Sequence, residues 1–328
     1  MELILNTFGI SLGRENDGFV VTSPEGKQRI SANTIKSIQI CRGVNVTSDA
    51  IFLAIENEID LVFVERSGNP TGRVWSHKFG SISTIRKGQL NFSRSSSAVE
   101  WIKKIVIKKI QNQQALLLMF ESDDCEVIDK RDKAITRLED YIHKIKGLDG
   151  LLVQDIASTL RGWEGVSAKI YFDAINHFLP PQYQFIQRSQ HPAMDVANSM
   201  LNYGYGILYG KVESALIKAG VDPYIGVLHR DEYNRPVLVY DVIEIYRVWI
   251  DYVVFNILTQ EIINDDFYSI KTDGSYWLEN LGKRVLIQSV NDYLDEVVSY
   301  DASVLNRSRN VQIQLYANNL AQTFKKHE

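Results

Sequence analysis

Apolar and polar residues alternate in short runs over the first ~90 residues of the chain, with turn signals between the runs, which is the pattern of half-buried strands. Leu3-Ile4-Leu5, Phe19-Val20-Val21, Ile35 to Ile40 and Ile59 to Val64 are the clearest runs. One short helix is expected at Asp49 to Glu56, where Ala50, Leu53 and Ala54 recur at helical spacing behind the cap candidates Thr47 and Ser48. Ser67 to Gly72 reads as a turn.

From Ser97 the period changes to that of helices. Ser97 and Glu100 have capping-box spacing ahead of an amphipathic run through Phe120 that contains Trp101, Ile105, Ile107 and Ile110. Further helices are expected at Asp132 to Lys146, closed by Gly147, and at Leu151 to Phe178, closed by Pro180-Pro181. Another is expected at Met194 to Ala219, closed by Gly220. The apolar stretch Val237 to Ile263 carries Asp241, Glu244, Arg247 and Asp251, charges too costly for a membrane span, so it reads as a buried helix. Arg94-Ser95-Ser96-Ser97 is the most linker-like point and no internal repeat is evident. The expected architecture is α+β: a β-rich, sandwich-like N-terminal domain over residues 1–92, then a larger all-α domain over residues 96–328.

Composition narrows the class without naming it. A chain of 328 residues with 45% hydrophobic and 23% charged content supports two packed cores. Cys41 and Cys125 stand far apart and form neither a zinc pattern nor a disulfide framework, which fits a reducing, cytoplasmic setting. Met1-Glu2-Leu3 has an acid where a signal peptide needs bases. The formal net charge of -4 means that a nucleic-acid partner would have to be held by local basic patches. No P-loop, no GxGxxG after a strand and no GxSxG elbow occurs, which leaves nucleotide-driven, dinucleotide and serine chemistry without support.

Three places carry candidate chemistry. Glu164 shares a helix face with Ala168, Tyr171 and Ile175, and a carboxylate on an apolar stripe needs either a cationic partner such as Arg161 or Lys169, or a metal. Asp241 and Glu244 project from one side of a helix and repel unless a cation lies between them, or else they form a solvated stripe neutralised by Arg247. His229 lies in a loop that becomes polar before Pro236. The other histidines, His77, His143, His177, His191 and His327, have no comparable acidic pair and read as structural or surface groups. One imidazole with two or three carboxylates suits Mn²⁺ or Mg²⁺.

The order of these blocks resembles the CRISPR-associated spacer-integrase family. The resemblance is carried by Arg161-Gly162-Trp163-Glu164-Gly165 leading into Ala168-Lys169-Ile170-Tyr171-Phe172, and by Leu201-Asn202-Tyr203-Gly204-Tyr205-Gly206. It is carried most strongly by His229, Arg235-Pro236, Asp241, Glu244 and Arg247 in that order. It implies metal ligands at Glu164, His229 and Glu244, with Asp241 as a supporting catalytic carboxylate, and Mn²⁺ or Mg²⁺ as cofactor. The third ligand is Glu244 where some relatives have Asp. The implied activity is that of a metal-dependent DNA endonuclease and integrase, in which a 3′-hydroxyl of protospacer DNA attacks the CRISPR repeat by transesterification. The implied partners are double-stranded DNA (protospacer and the repeat next to the leader), a second copy in a homodimer, and a small ferredoxin-like adaptation protein. Basic clusters for DNA are Arg86-Lys87 with Arg94, Lys103-Lys104 with Lys108-Lys109, Lys283-Arg284, and Arg307 with Arg309. A non-catalytic DNA- or partner-binding scaffold and a transposon-type integrase of the same superfamily are the alternatives.

Overall fold

A computed structural model describes residues 2–65, 70–74, 83–229, 235–298 and 306–328. His77, part of the turn at Ser67 to Gly72, and the polar half of the His229 loop at 230–234 lie outside the described residues. The chain divides into two compact units, Met1–Gly80 and Ser81–Glu328.

In the first unit the alternating runs pair into sheets. β1 (Glu2–Leu5), β2 (Ser11–Glu15), β3 (Gly18–Ser23), β4 (Gly26–Ser31), β5 (Ser37–Cys41), β6 (Asn45–Val46), helix α1 (Ser48–Glu56), β7 (Asp60–Val64) and β8 (Pro70–Arg73) follow in chain order. One sheet has the order β1-β5-β7-β8 and the other β4-β3-β2-β6. The parallel strands β1, β5 and β7 set Leu3 beside Ile38 and Ile38 beside Leu61. Leu12 and Phe19 of the second sheet share one core with Leu5, Ile38 and Leu61 of the first and with Ala50 and Leu53 of α1. Thr47 caps α1 by accepting the Ala50 N–H at 3.2 Å, as its position before the helix suggests.

The second unit contains α2 (Ser83–Ser93), α3 (Ser96–Met119), α4 (Cys125–Lys146), α5 (Val153–Asn176), α6 (Val196–Lys218), α7 (Val237–Ile243) and α8 (Arg247–Thr259). A hairpin of β9 (Tyr268–Ile270) and β10 (Tyr276–Leu278) follows, then α9 (Asn280–Asp295), the short ladder of β11 (Val297–Val298) with β12 (Arg307–Ser308), and α10 (Arg309–Lys325). Among the described residues no helix is long and apolar enough to cross a membrane.

The helical unit begins earlier than the linker-like serines suggest. Phe92 of α2 packs against Phe324 at 5.1 Å and Trp101 at 6.0 Å between ring centroids, so α2 belongs to the helical core. The Ser97–Glu100 capping box does not form: α3 starts one residue earlier, and Glu100 pairs with Lys103 instead. α4 starts at Cys125 because Asp124 accepts the Glu126 N–H at 2.8 Å and caps it there.

Three hydrogen bonds tie helices α3, α5 and α6 to the chain from Val237 onward. The apolar run from Val237 is two helices, interrupted at residues 244–246 with neither Gly nor Pro to mark the break. Asn112 of α3 donates its side-chain amide to the Ile245 carbonyl in that break at 2.8 Å, so a main-chain acceptor at the interruption has a partner. Further along α8, Tyr171 of α5 at 2.9 Å and Tyr205 of α6 both donate to the buried Asp251 carboxylate, tying three helices to one group.

Burial pushes the Asp251 carboxyl up to about 6, against the hydrogen bonds from Tyr205 and Tyr171 and the charges of Arg188 and Arg247. A folded value above the unfolded one means that this group favours folding most below about pH 4, and that the contribution is lost as pH rises through 6. Asp251→Asn cannot titrate. The unfolding free energy of the wild type relative to this variant should therefore fall by about 2 kcal/mol between pH 4 and pH 7 in urea titrations. A pH-independent difference would show that Asp251 keeps an ordinary acidity in the fold.

Candidate active site

The helical unit draws the expected residues to one place. Glu164 comes from α5, His229 from the segment between α6 and α7, and Asp241 from within α7. Glu244 is the C-cap of α7, and Arg247 opens α8.

Glu164 does have a cationic partner, but neither of the expected ones. Arg161 donates to the Ala157 carbonyl. The partner is Lys109 of α3, whose Nζ lies 2.5 Å from Glu164 Oε1 and 2.5 Å from Glu244 Oε2. Arg247 Nε lies 2.8 Å from Glu244 Oε1. Lys109 donates a hydrogen bond to Glu164. Glu244 Oε2 is equally near the same ammonium, as an ion pair.

Asp241 and Glu244 are 1% and 7% exposed, which rules out a solvated stripe. Nor do they share a cation, because Asp241 turns to the loop. Its carboxylate accepts the N–H groups of Val227 at 2.7 Å, Leu228 at 3.1 Å and His229 at 3.1 Å, and takes the His229 ring through Nδ1 at 2.8 Å. Three successive N–H groups reach one carboxylate only because the loop folds back tightly at Gly226. A Cβ there would sit 2.0 Å from the His229 carbonyl oxygen, so no other residue fits without moving the loop.

Asp241 accepts from Nδ1, so in the neutral imidazole Nδ1 carries the proton and Nε2 the lone pair. The Asp241 hydrogen bond is also the main cause that raises the His229 pKa, with burial opposing it. Burial pushes Glu244 up, but Arg247, Lys109 and His229 outweigh it and hold the carboxylate at about 2. Burial pulls the Lys109 ammonium down, and Glu244 with Glu164 more than restores it, so its pKa is raised. Glu244 and Lys109 are therefore both charged at neutral pH, packed close to one imidazole.

The donor chemistry fits a hard or borderline divalent cation: two carboxylates and an imidazole oriented by a third carboxylate. Among the described residues, no group of three His, Cys, Asp or Glu side chains is already drawn together as a metal cage. Lys109 occupies the space between the two acids.

Lys109 is the member of the cluster that its sequence context disguises, since it stands with Lys103, Lys104 and Lys108 in an apparent DNA-facing patch. Lys103 and Lys109 are in fact buried, paired with Glu100 and with the two acids. The signal is present, because Ile102, Val106, Lys109, Gln113 and Leu117 follow one apolar stripe at helical spacing. Arg309 is also engaged, with the Tyr293 carbonyl and Glu296 at 2.7 Å each. Lys87, Arg94, Lys104 and Lys108 remain at the surface.

An imidazole held by a buried carboxylate beside two charge-compensated acids, in a helical unit that follows a β-rich one, is the constellation of a carboxylate–histidine site. Comparison with known proteins gives it a family. The model of CRISPR associated protein Cas1 matches residues 3–292, and the chain belongs to that family. It is 30% identical over 313 residues to CRISPR-associated endonuclease Cas1 1 of Archaeoglobus fulgidus, covering 92% of this chain and 90% of the relative. It is 28% identical over 319 residues to the protein of the same name from Francisella tularensis subsp. novicida, covering 96% and 93%. The fold is similar to that of a Cas1 protein from Thermotoga maritima, with a TM-score of 0.80 at 18% identity over 99% of this chain and 97% of the other. It is also similar to that of a casposase bound to integration product, with a TM-score of 0.82 at 20% identity over 100% and 91%.

Replacing Asp241 by Asn turns one acceptor oxygen into an N–H₂ facing N–H donors. Asp241→Asn should lower Mn²⁺ affinity by roughly 10–100-fold, the usual effect of losing a carboxylate behind a ligating histidine. Isothermal titration of the variant against the wild type checks this, and equal affinity would mean that Asp241 does not orient His229 for a cation.

Proposed function

We propose that this chain is a divalent-metal-dependent DNA endonuclease and integrase of CRISPR adaptation, joining short protospacer DNA to the CRISPR array. The observation that supports it most is that Lys109 holds Glu164 and Glu244 together, with the Asp241-oriented His229 near enough that the charge of both acids raises its pKa. Family membership and the endonuclease names of its relatives point the same way.

In this reading Glu164, His229 and Glu244 hold Mn²⁺ or Mg²⁺, which when bound supplies positive charge to a phosphodiester and its attacking oxygen. Asp241 keeps the proton on His229 Nδ1, which would leave the Nε2 lone pair for a cation. Arg247 fixes the Glu244 carboxylate, and α3 supports the broken helix through Asn112. The reaction forms a bond from the attacking 3′-oxygen to phosphorus and breaks the bond from phosphorus to the 3′-oxygen of the repeat strand. With water as the attacking group, the same exchange is hydrolysis, the endonuclease activity.

The partners follow from the same reading: protospacer and repeat DNA, a second copy of the chain, and the small ferredoxin-like adaptation protein. One structural relative was solved as a Cas6-RT-Cas1–Cas2 complex and another as a Cas1–DNA complex. A net charge of -4 makes assembly useful, since weak basic patches on several copies add on one DNA. Lys87 and Arg94 with Lys104 and Lys108 are the exposed patches for that role. A cytoplasmic location goes with the reaction, because the array to be extended is chromosomal. In this reading the β-rich unit is the first compact unit, Met1–Gly80, and the catalytic domain is the second, Ser81–Glu328.

Against a non-catalytic scaffold stand the buried Asp241 and Glu244 and their cost in desolvation, which binding alone does not require. Glu164→Ala and His229→Ala should each abolish strand joining in Mg²⁺ or Mn²⁺, on a supercoiled plasmid carrying the array, while DNA binding measured by mobility shift stays near wild type. Joining retained by either purified variant would refute the assignment.

A further inference from the structure

The Lys109 ammonium stands where a divalent cation would have to be. A divalent ion takes carboxylate oxygens at about 2.1 Å, and Nζ already lies 2.5 Å from one oxygen of each acid. Two positive centres cannot share that space. The charge balance says the same: Glu164 and Glu244 are matched by Lys109 and Arg247, so the acids are neutralised before any metal arrives.

The arrangement also provides a way out. Gln113 lies one turn along the same face of α3, at the i+4 position where side chains meet. It is 4% exposed, and its Oε1 has no hydrogen-bond partner among the described residues. A buried amide oxygen without a donor is costly by itself and becomes satisfied if an ammonium swings to it.

We propose that Lys109 is a resident counter-ion of the active site that binding of the divalent metal must displace, with Gln113 as the acceptor that receives it. The lysine keeps the two acids together in the metal-free protein, and the energy of breaking its two ion pairs is subtracted from metal affinity. The protein therefore holds the two acids together yet binds metal more weakly than the same ligands would without the lysine. This inference rests on the reading of Glu164, His229 and Glu244 as a cation site.

The test is a Mn²⁺ titration of the purified full chain, stripped of metal, followed by the electron paramagnetic resonance signal of free Mn²⁺. The proteins are wild type, Lys109→Met, Lys109→Gln, Gln113→Leu, Glu164→Gln and His229→Ala, each with its thermal midpoint recorded with and without Mn²⁺. Glu164→Gln and His229→Ala should weaken binding about tenfold or more relative to wild type. Lys109→Met and Lys109→Gln should tighten it about tenfold or more, lower the metal-free midpoint and enlarge the Mn²⁺-induced rise. Gln113→Leu should weaken it several-fold.

Lys109→Gln keeps an amide that can donate to Glu164, so it carries the test if the Met variant does not fold. Equal or weaker Mn²⁺ binding by a folded Lys109→Gln protein overturns the proposal, and wild-type affinity in Gln113→Leu overturns the part given to Gln113. Wild-type affinity in Glu164→Gln and His229→Ala would instead overturn the site itself.

Discussion

The arrangement of the helical unit turns on one electrostatic constraint: Glu164 of α5 and Glu244 at the end of α7 are brought together where water is scarce, and like charges in that setting need a cation between them. Lys109 supplies it, from a third helix. That requirement links α3, α5 and the α7–α8 break at one point. Removing one partner of such a cluster costs about 3–5 kcal/mol in a buried site, because the remaining charge is stranded. The polar groups around the cluster support it, with Asn112 donating to a carbonyl in the break and Arg247 holding the far oxygen of Glu244.

Asp241 solves a different problem. Residues 227–229 present three successive N–H groups that no helix or strand satisfies, and a single carboxylate takes all three as well as the imidazole. One residue thereby fixes both the path of the loop and the orientation of the ring it carries. The cost of burying that charge is offset by its donors, which is why Asp241 needs no cation of its own. The two acids at the end of α7 are thus divided: Asp241 serves the backbone, while Glu244, three residues on, faces the cations.

Much of this is legible in the amino-acid order. The strands at Leu3, Phe19, Ile38 and Leu61 are visible because alternation survives wherever one face of a sheet is buried. Glu164, Asp241 and Glu244 stand out because each breaks a local pattern, an acid on an apolar stripe or a like-charged pair, and His229 gains its meaning from its order among them. The break between α7 and α8 is not legible, since the apolar run is continuous through it and the side chain that supports it, Asn112, lies 133 residues away. Lys109 is hidden for a related reason: four lysines between 103 and 109 look like a basic patch until their phase against Ile102, Val106 and Leu117 is considered. The place of α2 within the helical core is hidden because its partner, Phe324, lies at the other end of the chain.

If Glu164, His229 and Glu244 form one divalent-cation site whose place is held by Lys109, the most direct measurement is anomalous diffraction from crystals soaked in Mn²⁺. A manganese peak is expected at bonding distance from Glu164, His229 Nε2 and Glu244, with the Lys109 ammonium withdrawn from between the acids. Manganese bound elsewhere, with Lys109 still bridging Glu164 and Glu244, would contradict it.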